Sequence, residues 1–202
     1  MNRGKLYIIS GPSGSGKDTI LGETFKAHPE IKLSISSITR AMRPGETEGE
    51  KYHFISREEF EDMLKNDELL EYNVYLGNYY GTPKAPVEKW LSEGTDVILE
   101  LDVNGAAKVR KKCPDAISIF IMPPSFEVLT KRLNRRGTDS PEAVRGRLEA
   151  ALGEIKRAEE FDYIVVNDEL ETAVNDFITV ILSERLRIER QKHIIDEVLE
   201  KC

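Results

Sequence analysis

The stretch Leu6-Tyr7-Ile8-Ile9-Ser10-Gly11-Pro12-Ser13-Gly14-Ser15-Gly16-Lys17-Asp18-Thr19-Ile20-Leu21 decides the fold. Leu6 to Ile9 form an apolar run that reads as a buried strand, and Ile20, Leu21, Thr24 and Phe25 take up helical spacing beyond the glycines. Strand, glycine-rich loop and helix with the spacing G-x-x-x-x-G-K make a phosphate-binding loop. Glycine lets backbone N–H groups converge on an anion without a Cβ in the way. The helix that starts near Lys17 turns its unpaired N–H groups and the positive end of its dipole to the same point, and Lys17 reaches the outer phosphates. Asp18 stands where the strict motif has Ser or Thr, the usual magnesium ligand. A flexible Gly/Ser turn would carry the same letters, but the flanking strand and helix favour phosphate binding.

Outward from this loop, apolar runs alternate with helical segments, which predicts an α/β fold with a mostly parallel sheet flanked by helices. Strands are expected near Leu6–Ser10, Leu33–Ser37, Val97–Leu101, Ser118–Ile121 and Tyr163–Val166. Helices are expected near Lys17–Lys26, Asn104–Lys112, Ser125–Arg135 and Pro141–Glu160, the last opened by Ser140 as N-cap with proline in the first turn. Residues 40–95 break the rhythm. Tyr52–Ile55, Leu69–Tyr75 and Asn78–Gly81 read as short strands with a turn at Gly77-Asn78, Ser56-Arg57-Glu58-Glu59 as a capping box opening a helix to about Lys65, and Pro83 as a helix start. A small β-rich insertion fits this segment better than another βαβ unit. From Glu169 one last helix runs toward the C-terminus, with Val174, Phe177, Val180, Ile181, Ile188, Ile195 and Val198 at helical spacing. Its bland reading is a docked terminal helix with a solvated outer face; a partner-binding helix is the sharper one.

The chain of 202 residues is one large domain or a core with small insertions, and 40% hydrophobic residues suffice for a buried core. A net charge of −7 and a pI near 5.2 argue against a nucleic-acid binder that relies on overall positive charge. Cys113 and Cys202 lie far apart without metal-ligand spacing, as expected of a reduced cytoplasmic protein. No signal peptide or membrane span is visible, because the N-terminal apolar run is short and continues into the loop.

Three constellations carry chemistry. Arg40 and Arg43, beside the loop Pro44-Gly45-Glu46, suit bidentate phosphate binding, with an exposed charged loop as the alternative. Tyr52, Glu71, Tyr79, Tyr80 and Asp102 combine carboxylates with hydroxyls. A carboxylate accepts the N1 and N2 protons of guanine, whereas adenine lacks that pair of donors, so one buried acid separates the two bases. Asp102 ends an apolar strand, where open α/β sheets place ligands. Arg132, Arg135, Arg136, Arg145 and Arg147 flank Gly137-Thr138-Asp139-Ser140, which reads as a lid tip that brings positive charge to a transferring phosphoryl group, or as a solvated helical hairpin.

With these residues in place the chain resembles the guanylate kinases, which convert GMP and ATP to GDP and ADP. GPSGSGKDT (11–19), SSITRAMRPGE (36–46), KYHF (51–54), GNYYGT (77–82), LELDVNG (99–105), RRGTD (135–139) and VVND (165–168) occur in the family's order. The resemblance implies a P-loop NTPase-type sheet with a core of 1–37, 82–126 and 160–202, a GMP-binding insertion of 38–81 and a lid region of 127–159. It assigns ATP to Gly11, Pro12, Ser13, Gly14, Ser15, Gly16, Lys17, Asp18, Thr19 and Asn167, the last near the adenine. Guanine falls to Ser36, Glu71 and Asp102, with Thr82 where the family often has serine, and the GMP phosphate to Arg40, Arg43, Tyr52 and Tyr80. Lys17, Arg40, Arg132, Arg136 and Arg147 are the implied catalytic set.

The expected reaction is in-line transfer of the ATP γ-phosphoryl group to an α-phosphate oxygen of GMP. That oxygen is anionic near neutral pH, so no general base is needed, and catalysis rests on positioning and charge neutralisation by Lys17, the arginines and Mg²⁺ carried as Mg-ATP. With Asp18 in place of a hydroxyl residue, the direct ligands of the metal stay unassigned. ATP and GMP are the expected small-molecule partners, with no nucleic acid and no membrane. A catalytically silent guanylate-kinase-like interaction module is the alternative from another class; the intact loop, Lys17 and the arginines speak against it. A phosphorylated sugar as acceptor would leave Glu71 and Asp102 without a guanine to read.

Overall fold

The computed structural model describes residues 3–135 and 140–200. Along the chain run β1 (Leu6–Ser10), α1 (Lys17–Ala27), β2 (Lys32–Leu33), β3 (Ser36–Ile38), β4 (Tyr52–Phe54), α2 (Arg57–Lys65), β5 (Leu69–Tyr75) and β6 (Asn78–Pro83). Then follow α3 (Lys84–Ser92), β7 (Val97–Glu100), α4 (Val103–Lys112), β8 (Ile117–Met122), α5 (Phe126–Asn134), α6 (Pro141–Lys156), β9 (Tyr163–Val166), α7 (Leu170–Arg185) and α8 (Ile188–Leu199).

Five strands form a parallel sheet in the order β2-β7-β1-β8-β9. Successive side chains of β1 go to opposite faces, as the pleat requires. Tyr7 and Ile9 pack with Ile20, Ile98, Phe177 and Ile181, on the side that α1 and α7 cover. Leu6 and Ile8 pack with Val87, Leu91, Leu99 and Val109 under α3 and α4. Both faces are therefore buried, which is why the strands read as continuous apolar runs. A second, mixed sheet has the order β4-β3-β6-β5, with β3 parallel to β4 and antiparallel to β6. It is tied to the main core by Leu70 of β5, which packs with Val87, Leu91 and Val109.

Several expected boundaries move. Leu33–Ser37 is not one strand: Lys32–Leu33 pairs with β7, the chain steps across at Ser34-Ile35, and Ser36–Ile38 joins the second sheet. Alternation alone does not reveal such a switch of sheets, because the pattern Leu33-Ser34-Ile35-Ser36 runs unbroken across the step. The hairpin turn is Leu76-Gly77, one residue earlier than expected, with both residues at positive φ (47° and 78°). The expected helix Pro141–Glu160 ends at Lys156, followed by a 3₁₀ turn at Ala158–Glu160. The single terminal helix is two helices broken at Leu186-Arg187, a site with neither Gly nor Pro. The break is held by tertiary contacts: Arg185 and Arg190 both donate to buried Asp96, and the Gln191 amide donates to the Arg185 carbonyl at 2.8 Å. The caps at Ser56 and Ser140 stand as read, Ser56 in a complete capping box.

Candidate active site

The parallel sheet gathers the loop after β1, Asp102 after β7 and Asn167 after β9 at the carboxyl ends of its strands. Gly16, with φ 93°, is the N-cap of α1, and no side chain caps that helix, so its first N–H groups remain for an anion. A Cβ on Gly16 would lie 2.1 Å from the Asn167 amide nitrogen, so both the conformation and the close approach demand glycine here. The Lys17 ammonium folds back over the loop and donates to the Gly11 carbonyl at 2.6 Å. The Ser15 hydroxyl is buried and has no hydrogen-bond partner among the described residues.

The loop is braced from behind. Asn167, itself buried, donates from its amide to the Ser15 carbonyl at 2.7 Å. Arg132, on α5, donates to the Asn167 carbonyl at 2.9 Å and to the Ser15 carbonyl at 3.4 Å. Two residues expected at the adenine and in the lid thus hold the loop's shape in this structure. Arg147 is half-buried on α6, and Arg136 lies outside the described residues.

On the second sheet Arg40, Tyr52 and Tyr80 come together. The Arg40 guanidinium lies 5.5 Å from the Tyr52 ring centroid, and the Tyr52 and Tyr80 rings meet edge to face with centroids 6.4 Å apart. It also makes a bidentate pair with Glu46, at 2.7 and 2.5 Å. That pair, with the Arg43 backbone N–H, holds the Glu46 carboxyl down to about 2. Arg43 itself is exposed on the same loop.

The two guanine-reading candidates also converge. Glu71 is buried on β5 and accepts from the Thr82 hydroxyl at 3.0 Å. Asp102 caps α4 by accepting from the Gly105 N–H at 2.7 Å, and its other oxygen accepts from Asn73 at 2.9 Å. A Cβ on Gly105 would meet Glu71 Oε2 at 3.2 Å and Asp102 Oδ1 at 3.4 Å, so the two carboxylates flank one spot. Burial, then the Asp102 charge, raises the Glu71 pKa, while the Thr82 hydrogen bond and Lys108 and Lys112 oppose the rise.

Between loop and second sheet lies a cleft of about 720 Å³, walled by Gly11, Ser13, Gly14, Lys17 and Thr19 on one side and Ser36, Tyr52 and Asp102 on the other. Sequence reasoning assigned no role to Glu46, Lys51, Asn73 or Glu100. Lys51 and Glu100 also line the cleft, and the Lys51 ammonium donates to Asp18 at 3.1 Å. Burial and the neighbouring Asp18 charge push Glu100 above the usual carboxylate range. Asp18 is held below it: partial burial opposes this, but the Lys51 hydrogen bond and the charges of Lys51 and Lys17 prevail. Glu46, Lys51 and Glu100 all stood inside quoted motifs, but only folding shows what they face.

Comparison with known proteins adds a family to this geometry. The guanylate kinase family model matches residues 3–184. The chain is 43% identical over 197 residues to the guanylate kinase of Desulfitobacterium hafniense (strain Y51), covering 98% of both chains. It is 48% identical over 190 residues to that of Carboxydothermus hydrogenoformans, covering 94% of this chain and 93% of the relative. Among solved structures, guanylate kinase from Anaplasma phagocytophilum superposes with a TM-score of 0.76 at 32% identity, over 94% of this chain and 90% of the other.

Proposed function

We propose that this chain, which belongs to the guanylate kinase family and transfers the γ-phosphoryl group of ATP to GMP to give ADP and GDP, performs that transfer across the cleft described above. ATP phosphates rest on Gly11–Thr19 and Lys17, and GMP lies on the second sheet. One observation carries this arrangement: a single cleft has the phosphate loop and Lys17 on one wall and Ser36, Tyr52 and Asp102 on the other.

Guanine is read by Glu71, Asp102 and Ser36, with Thr82 orienting Glu71. The GMP phosphate binds Arg40, Arg43, Tyr52 and Tyr80, and it competes with Glu46 for the Arg40 fork. Arg132, Arg136 and Arg147 bring positive charge to the transferring group from 127–159, read as a lid; the GMP-binding insertion, expected at 38–81, takes in all of β3 and β6 and so spans 36–83, leaving 1–35, 84–126 and 160–202 as the core. Asn167 supports the adenine side through its hold on the loop. The acceptor oxygen is already anionic, so the residues supply alignment and positive charge rather than a base.

Magnesium arrives as Mg-ATP. The Glu100 carboxylate and the Thr19 hydroxyl, both on the cleft wall, are oxygen donors that fit a hard cation whose other ligands are phosphate oxygens and water, whereas Asp18 is engaged by Lys51. When bound, the cation neutralises phosphate charge. A cytoplasmic location goes with the supply of both nucleotides, and no helix among the described residues is long and apolar enough to cross a membrane.

ADP formation from ATP, measured with GMP, AMP, CMP and UMP, tests the reading. GMP alone supports rapid turnover, and Lys17→Met lowers it by at least about a hundredfold through loss of the charge at the transferring group. Equal rates with AMP would overturn guanine recognition, and full activity of Lys17→Met would overturn the donor site.

A further inference from the structure

We infer that Lys51 contacts the reacting phosphates, held at the phosphate loop by Asp18; the inference rests on the two-nucleotide reading of the cleft. Asp18 belongs to the first turn of α1, directly after Lys17, whereas Lys51 immediately precedes β4 and Tyr52. Their 3.1 Å hydrogen bond therefore joins the donor loop to the acceptor sheet across 33 positions of chain. It places a second ammonium on the wall that already carries Lys17.

Electrostatics explains why a bare aspartate would be a poor choice here. A carboxylate beside the phosphate loop repels a triphosphate unless a neighbouring cation offsets its charge. Lys17, Asp18, Lys51 and Glu100 form one group, each feeling the others' charge or hydrogen bonds. Neutralisation of Asp18 alone, however, leaves much of Lys51 unused. An ammonium has three donors, and Asp18 accepts one of them. Both members are well exposed, with 65% of the Lys51 side chain and 59% of the Asp18 side chain accessible, so the pair is weak enough for phosphate oxygens to share the lysine. A loose transition state spreads charge over the transferring oxygens, and a cation reaching from the acceptor side to the donor loop stands where that charge develops. Asp18, the odd member of the loop, is on this account a positioning residue for Lys51.

A double-mutant cycle separates a phosphate contact from a mere counter-charge. Steady-state kinetics with ATP and GMP are measured for the wild type, Asp18→Ser, Lys51→Ala, Lys51→Arg and Asp18→Ser/Lys51→Ala. Melting temperatures are recorded alongside; they stay level because the pair is exposed. Lys51→Ala lowers kcat by about tenfold or more with a smaller change in the KM for GMP, and Lys51→Arg restores most of the loss. The decisive ratio is that of the wild-type kcat to the kcat of Asp18→Ser/Lys51→Ala. A ratio of about threefold or more supports the phosphate contact, because removal of the Asp18 charge does not rescue the loss of Lys51; a smaller one overturns it and leaves Lys51 as a counter-ion. A wild type without GMP-dependent turnover would defeat the two-nucleotide reading itself, whereas an active wild type with a small ratio defeats only the role of Lys51.

Discussion

On the proposed reading, the protonation state of Glu71 decides how well guanine binds. Its neutral form survives to higher pH than that of an ordinary glutamate, near 4.3, because it is buried and faces Asp102. With the folded pKa raised, its contribution to stability is full at low pH and is lost as pH rises through the folded value. Binding runs the other way, because only the ionised carboxylate accepts guanine protons at both oxygens. The KM for GMP therefore rises as pH falls, starting at higher pH than an ordinary carboxylate would dictate. Glu71→Gln lacks this limb and binds GMP more weakly near neutral pH, the two proteins converging as Glu71 protonates; titration of the nucleotide's own phosphate affects both alike. KM measured across pH 4.5–8 checks this, and an identical pH profile in the variant would exclude Glu71 as the base reader. Glu71 stood out in the sequence as one of few carboxylates among tyrosines in the inserted segment, and the resemblance gave it guanine; its burial and its hydrogen bond from Thr82 came with the fold. Glu46 was not, because its meaning lies in the Arg40 fork it occupies, a pairing that spacing does not encode.

At the scale of elements, the strands and helices of the main sheet were legible because apolar period and caps agree with the packing around them. The second sheet was legible only as a region. Its hairpin shows why: β5 and β6 are joined by Leu76-Gly77 in left-handed conformations, and Leu76 is a bulky residue that rarely adopts φ 47°. Sequence logic puts Asn or Gly at that position, so register and turn were read one residue late. The Leu76 side chain is 82% exposed, so no packing offsets the strain. Leu76→Asn accordingly stabilises the protein by about 0.5–1 kcal/mol, read as a higher urea midpoint at unchanged m-value. A lower midpoint would mean that Leu76 makes a contact in the folded protein that outweighs its backbone cost.

Across the whole molecule, one end of the sheet carries the candidate site and the other ties the segment before β1 to α7 and α8. Residues that follow β1 and β7 meet at the cleft, and Asn167 after β9 braces the loop behind it, whereas Asp96, directly before β7, lies at the opposite ends of the strands. Buried Asp96 accepts from the Lys5 N–H at 2.7 Å, from Arg185 at 2.8 Å and from Arg190 at 3.2 Å. It thereby links the N-terminal segment, α7 and α8. A smaller cavity of about 370 Å³, lined by Glu30, Asp96, Arg185, Arg190 and Gln191, marks this junction. The helix α8 contributes no buried residue, and Ile188, Ile194, Ile195, Val198 and Leu199 stay exposed, so polar contacts carry much of its attachment. The periodicity of 170–199 was legible as helix, but a break made by one buried carboxylate on a distant strand was not. Asp96→Ala leaves Arg185 and Arg190 without that acceptor. The loss falls at the low end of about 3–5 kcal/mol, because Arg185 is 31% exposed and water replaces part of what it loses. Urea denaturation shows the drop, and hydrogen exchange shows α8 amides losing protection first. The KM for GMP stays at the wild-type value, because the cleft is at the other edge of the sheet. A loss below about 1 kcal/mol would mean that apolar packing, not Asp96, seats the two C-terminal helices.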